Sequence, residues 1–170
     1  MTTRSLNYTK NRPIYSIAAS IVEGNWYTKT MSKTEDCPFC NFDQKVLKSN
    51  AHASVILSDP RKVPGHTLVI PKRHVEKPWE LTPEELQGVF ELVFFVEQKL
   101  IEHGLGDGVD IRQNYRPFLG QNGLKVDHIH FHVLPRASED YIYQVSEHYD
   151  SDLFADLDAK EATEVAKLLK

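Results

Sequence analysis

The chain carries only two cysteines in 170 residues, both inside Cys37-Pro38-Phe39-Cys40. One close pair cannot staple a small fold, so a disulfide framework is excluded. In a reducing compartment such a pair binds metal, works in redox chemistry or simply fills a tight turn. No run approaches the ~20 apolar residues that a membrane helix needs, so no membrane partner is expected. The apolar segment from Ile14 to Val22 is short and follows Pro13, which reads as a strand or packing arm. A basic surplus is also missing. Lys and Arg number 20 against 24 Asp and Glu, a net charge of −4. That argues against a dedicated nucleic-acid binder, yet leaves room for a small anion held by a local basic patch. Internal repeats and low-complexity tracts are absent. The first 22 residues hold Arg4, Lys10 and Arg12 without an acid, a faint likeness to a transit peptide, but the expected location is cytoplasmic.

What the chain does have is histidine in one place. Three of its eight histidines fall within five residues, in Val126-Asp127-His128-Ile129-His130-Phe131-His132-Val133-Leu134-Pro135. Read as a strand, this stretch puts Ile129, Phe131 and Val133 on a core face and the three imidazoles on the other. Rings on that face start about 6.6 Å apart, a spacing that lets one phosphate group touch two or three of them. Pro135, lacking an N–H, is expected to end the ladder. Alternate histidines suit a metal clamp, as in a zinc-dependent hydrolase, and they also suit nucleophilic attack by one imidazole with proton management by its neighbours. A non-catalytic nucleotide-binding regulator is a third reading.

Two blocks turn this pattern into a likeness. His128-Ile129-His130-Phe131-His132-Val133-Leu134 resembles the signature of the histidine triad (HIT) nucleotide hydrolases and transferases. Pro64-Gly65-His66-Thr67-Leu68-Val69-Ile70-Pro71-Lys72-Arg73-His74 resembles a second block of that family, in the family's order. The likeness spans roughly residues 37 to 136. It implies an α+β fold with an antiparallel sheet packed against a long helix, commonly paired into a homodimer. It further implies that His130 attacks the α-phosphorus of a purine nucleotide to form a covalent intermediate, that His132 bonds the phosphate and leaving group, and that His128 completes the triad. Adenosine phosphoramidates, aminoacyl adenylates and dinucleoside polyphosphates are the implied substrates. A histidine at 132, where family transferases often carry glutamine, points to water as the acceptor. No organic cofactor is implied.

The Cys-x-x-Cys reads as a pair of small buried residues in a tight turn or, as favoured here, as half of a tetrahedral zinc site. In family members that carry it, the site is completed by the histidine ending the Pro-Lys-x-His segment, here His74, and by the first triad histidine, His128. The resemblance also suggests nucleotide contacts. An acid at the end of the first hairpin strand holds ribose, and Asp59 is one residue from that place, which Ser58 occupies. The family's phosphate-binding Asn and Gln correspond to Asn114 and Gln121, each about three residues farther from the triad than usual. Arg116 and Lys125 offer phosphate-binding cations or are solvated loop charges. His66 reads as a turn or core histidine.

The remaining pattern fixes the scaffold. Ala51 to Leu57 and His66 to Ile70 read as a hairpin, and Val109 to Gln113 as a further strand. Thr82, Pro83 and Glu85 predict a capped helix start, and Gly104 its end. Leu86, Val89, Phe90, Val93, Val96, Leu100 and Ile101 predict its buried stripe. Asp158 caps a terminal helix with Val165, Ala166, Leu168 and Leu169 on an apolar side. The expected organisation is an extension over 1–36, a HIT domain over 37–140 and a helical tail over 141–170.

Overall fold

The computed structural model describes residues 37–41, 46–120, 125–144 and 158–169. Their elements are β1 (Lys48–Ser49), β2 (Ala53–Leu57), β3 (Thr67–Pro71), α1 (Pro83–Glu102), β4 (Gly108–Gln113), β5 (Phe131–Arg136) and α2 (Ala159–Leu168). The strands form one antiparallel sheet in the order β1-β2-β3-β5-β4, with α1 packed across one face. This is the α+β arrangement expected from the sequence. The predicted extension, most of the tail's start and Gln121 lie outside the described residues.

The hairpin forms because Gly65, at φ 78, turns the chain in a conformation that side chains disfavour. Ser54 then pairs with Ile70 and Ile56 with Leu68. The sheet separates two apolar clusters. Ala53, Val55, Val69, Ile129, Phe131 and Val133 meet Val89, Leu92, Val93, Val96 and Leu100 of α1. Ile56, Leu68 and Ile70 lie on the opposite face, covered by Phe39 and Val46.

Helix α1 starts as its residues dictate. Thr82 Oγ1 accepts from the Glu85 N–H at 3.3 Å, and Glu85 Oε2 accepts from the Thr82 N–H at 2.9 Å. Gly104, at φ 68, closes it. The buried stripe is rotated from the predicted one. Leu92 is in the core, whereas Leu86 and Ile101 are exposed. At 100° per residue, small offsets add up over twenty residues, so the ends of the stripe drift off the sheet. Two further expectations change. The ladder with β4 runs through Pro135 to Arg136, because β3 has already ended opposite Val133. The strand itself starts only at Phe131, so His128 and His130 lie on its bent approach. Helix α2 has the predicted cap, with Asp158 Oδ1 accepting from the Lys160 and Glu161 N–H groups, and Val165, Leu168 and Leu169 exposed.

Candidate functional site

The triad histidines do not share one orientation. His128 is 1% exposed and turns into the sheet's end, where Cys37, Cys40 and His74 are also buried. Only His130 and His132 face the open side. The uniform outward face expected for the three rings fails because the chain bends at Asp127 and His128, ahead of the regular pleat.

Backbone atoms set the proton on three rings, and one of those rings sets it on the fourth. His128 Nε2 lies 2.9 Å from the Pro71 carbonyl oxygen, which only accepts, so Nε2 bears the proton and Nδ1 the lone pair. His130 Nδ1 likewise donates to the His128 carbonyl at 2.8 Å, leaving Nε2 with a lone pair. The Lys62 N–H donates to His66 Nδ1 at 3.1 Å. His66 Nε2 must then carry the proton, which it donates to His132 Nδ1 at 2.9 Å. His132 is left with a protonated Nε2, a donor. The site therefore presents one nitrogen nucleophile beside one N–H donor, with ring centroids 4.8 Å apart. His66 is thus more than a core histidine. It sets the tautomer of His132, a link across 66 residues that no local pattern announces.

Burial keeps these rings neutral at neutral pH. It lowers the pKa of His130, and it pushes His66 and His128 down to about 4 and His132 to about 3. Neighbouring positive charge adds to the effect, from Lys62 at His66 and from Lys62 and Arg112 at His132.

Behind the pair, one ligand atom from each of Cys37, Cys40, His74 and His128 lies within 4.8 Å of the others. His128 Nδ1 is 3.5 Å from Cys37 Sγ and 3.7 Å from Cys40 Sγ, and His74 Nδ1 is 3.4 Å from Cys40 Sγ. A tetrahedral ion with bonds of ~2.3 Å to sulfur and ~2.0 Å to nitrogen requires sulfur–nitrogen edges of about 3.5 Å. The four residues fit such an ion. His74 Nε2 is 3.6 Å from Glu76 Oε1, the kind of outer carboxylate that orients a histidine ligand. Burial raises the Cys37 thiol pKa, a cost that a bound cation would reverse. Four protein donors leave no position for a metal-bound water, which argues against a catalytic metal. Of the triad, only His128 belongs to a metal-ligating cluster among the described residues.

Phe39, presented by the turn between the two cysteines, packs edge-on to His130 with centroids 5.0 Å apart and to His128 at 6.1 Å. Asn114, Arg116 and Lys125 line a cavity of about 370 Å³ with Asp127 and His128. That cavity adjoins the triad at His128 and is not bordered by His130 or His132. Lys125 pairs with Asp127. Asp59 lies exposed in the turn after β2, preceding a cis peptide bond to Pro60, while Ser58 Oγ donates to the Pro60 carbonyl.

No helix among the described residues is long and apolar enough to cross a membrane. Comparison with known proteins gives a consistent picture. The chain is 38% identical over 88 residues to an asymmetrical bis(5'-nucleosyl)-tetraphosphatase of Schizosaccharomyces pombe, covering 46% of this chain and 42% of that enzyme. It is 36% identical over 78 residues to an adenosine 5'-monophosphoramidase of the same yeast, covering 45% and 53%. It thus spans about half the length of these relatives. A Zn-bound histidine triad family protein from Mycobacterium smegmatis superposes with a TM-score of 0.54 at 30% identity, covering 62% of this chain and 78% of that one. The HIT domain model matches residues 41–139, more than half of the chain and the whole of the hairpin, long helix and triad strand. With that match added to the paired imidazoles and the antiparallel sheet beneath them, the chain belongs to the histidine triad (HIT) family.

Proposed function

We propose that this protein is a nucleotide hydrolase that attacks the α-phosphorus of adenosine phosphoramidates, adenylates or dinucleoside polyphosphates. The observation that carries the reading is the pair of tautomers. His130 Nε2 holds a lone pair while His132 Nε2–H stands beside it as a donor. In the first step the His130 lone pair forms a bond to phosphorus as the bond to the leaving group breaks. The leaving group takes that electron pair; His132 hydrogen-bonds the charge on a departing phosphate and gives its Nε2 proton to a departing amine. In the second step water attacks phosphorus and the nitrogen–phosphorus bond breaks, and the imidazole recovers its lone pair as nucleoside monophosphate departs; the water's proton restores His132 where that ring gave its own to an amine, and otherwise leaves to solvent. The lowered pKa of His130 keeps the attacking ring neutral at physiological pH. Phe39, half-buried and edge-on to His130, is the apolar side chain proposed to border the purine. Asn114, Arg116 and Lys125, with Gln121 and Asp59, remain the proposed polar contacts of the nucleotide.

The Cys37, Cys40, His74 and His128 cluster is proposed to hold a structural zinc. When bound, it would fix the cysteine turn, and through it Phe39, against the nucleophile. His128 then acts by position and not as a free base.

Quenching the enzyme during turnover of an adenylate tests the mechanism. Mass spectrometry is expected to find an adenylyl group on His130, labile in acid and persistent in alkali. Two in-line displacements also retain configuration at a chiral phosphorothioate. Inversion with no adduct captured means direct attack by water and ends this reading.

A homodimer is also proposed. Strand β4 is an edge of the sheet and carries exposed Ile111, and Leu86, Phe94 and Ile101 are exposed on α1, which packs against β4. An open edge and exposed apolar side chains suit pairing with a second copy. Sedimentation should give twice the 19.5 kDa chain mass. A monomer at micromolar concentration rules the pairing out.

A further inference from the structure

The strand register carries information about the leaving group. Ile56 lies opposite Leu68, Leu68 opposite His132, and His132 opposite Arg112. Directly opposed residues of antiparallel strands share a face. The site is thus crossed by a row that runs from two apolar side chains on β2 and β3, through an imidazole on β5, to a guanidinium on β4. One flank is apolar and buried. The other suits an anion.

Arg112 is more than a solvated edge charge. Its Nη2 donates to Asp110 Oδ2 at 2.5 Å, which holds the side chain along β4, while its side chain stays 38% exposed. Asp110 does not neutralise it fully, because the same Oδ2 also accepts from Arg136, which Asp140 grips as well. The guanidinium fork has five donors, and one nitrogen is used here. From the opposite side, the turn leading into β3 places exposed Lys62 next to the His66–His132 pair, where its backbone N–H bonds His66. The positive charges of Lys62 and Arg112 are both felt at His132. Two cations thus flank His132, Arg112 opposite it on β4 and Lys62 in the turn whose N–H bonds its partner His66.

We propose that Arg112, assisted by Lys62, is a specificity-determining contact for an anionic leaving group, selecting polyphosphate-linked nucleotides over those that release an amine. This rests on the α-phosphorus chemistry proposed above. A nucleoside phosphoramidate and a dinucleoside polyphosphate share the adenylyl group that His130 attacks. They differ in what departs, a small amine or a chain of charged phosphates. Guanidinium donors stabilise the phosphate chain, whose charge grows as its bond to phosphorus breaks, and offer an amine little.

The test compares adenosine 5'-phosphoramidate with diadenosine triphosphate in wild type, Arg112→Met, Arg112→Lys and Lys62→Met. Arg112→Met is expected to lower kcat/KM for the triphosphate by about ten- to hundredfold, and for the phosphoramidate by no more than about threefold. Arg112→Lys should recover part of the loss, and Lys62→Met should show a smaller fall of the same sign. Equal losses on both substrates would mean that Arg112 only braces Asp110 and the sheet, and would overturn the assignment. So would no loss on either. Calorimetry with adenosine triphosphate and monophosphate separates this from the chemistry. If wild type turns over neither substrate, yet Arg112→Met still abolishes a preference for the triphosphate, the hydrolase reading falls and the anion contact stands. An unchanged binding preference in Arg112→Met removes the contact.

Discussion

Replacing His130 by alanine is expected to lower turnover by about four orders of magnitude or more while leaving nucleotide affinity within a few-fold of wild type. The expectation follows from where the lone pair sits. His130 Nδ1 is committed to the His128 carbonyl, so Nε2 is the only nitrogen able to attack. No neighbour can replace it. His132 directs an N–H toward the site, and His128 is buried among the cysteines. Affinity survives because Phe39 and the cations flanking the site remain. Single-turnover kinetics alongside calorimetry reads both quantities. Residual turnover above about one per cent of wild type would show that another group can form the bond.

The second large effect concerns stability. Cys37→Ser is expected to remove one zinc per chain and lower the melting temperature by roughly 10 °C or more. Structural zinc sites contribute many kcal/mol of folding free energy, and each kcal/mol moves the midpoint by about 2–4 °C at this size. The loss is large because the site joins parts distant in sequence, the 37–40 turn, the end of β3 and the approach to β5. Metal analysis of the wild-type protein and thermal denaturation of both forms check it. Wild-type protein without stoichiometric zinc, or a variant that melts unchanged, contradicts the assignment. A chelator should likewise destabilise wild type but leave Cys37→Ser nearly untouched.

Much of the scaffold was legible because it depends on short periods and fixed turn chemistry. The alternation of Ile129, Phe131 and Val133 predicted the core face of the triad segment, and those three side chains do pack under α1. Thr82 and Glu85 marked the helix start through a cap confined to four residues. The site was legible only in part, because its details depend on geometry that alternation ignores. Face parity placed His128 beside its neighbours, but a bend ahead of β5 turns it inward. His66 and Arg112 meet His132 across strand pairs, and register between distant strands has no signature in either segment alone. Asn114, Arg116 and Lys125, read as candidate nucleotide contacts, line one cavity with His128. That their cavity adjoins His128 instead of His130 depends on loop conformation, which composition does not encode.

The hydrogen bonds that orient the rings have an evolutionary consequence. The atoms that assign protons to His128, His130 and His66 are the Pro71 carbonyl, the His128 carbonyl and the Lys62 N–H, all peptide groups. Almost any amino acid supplies the same group, so point substitution at those positions cannot erase the instruction. Only a change in the path of the main chain can. Apart from His66, whose imidazole passes the instruction on to His132, side chains around the imidazole pair, Arg112 and Lys62 among them, are therefore free to vary and retune substrate choice while the protonation pattern is inherited with the sheet. A lineage built this way can diversify in what it cleaves without having to rediscover how.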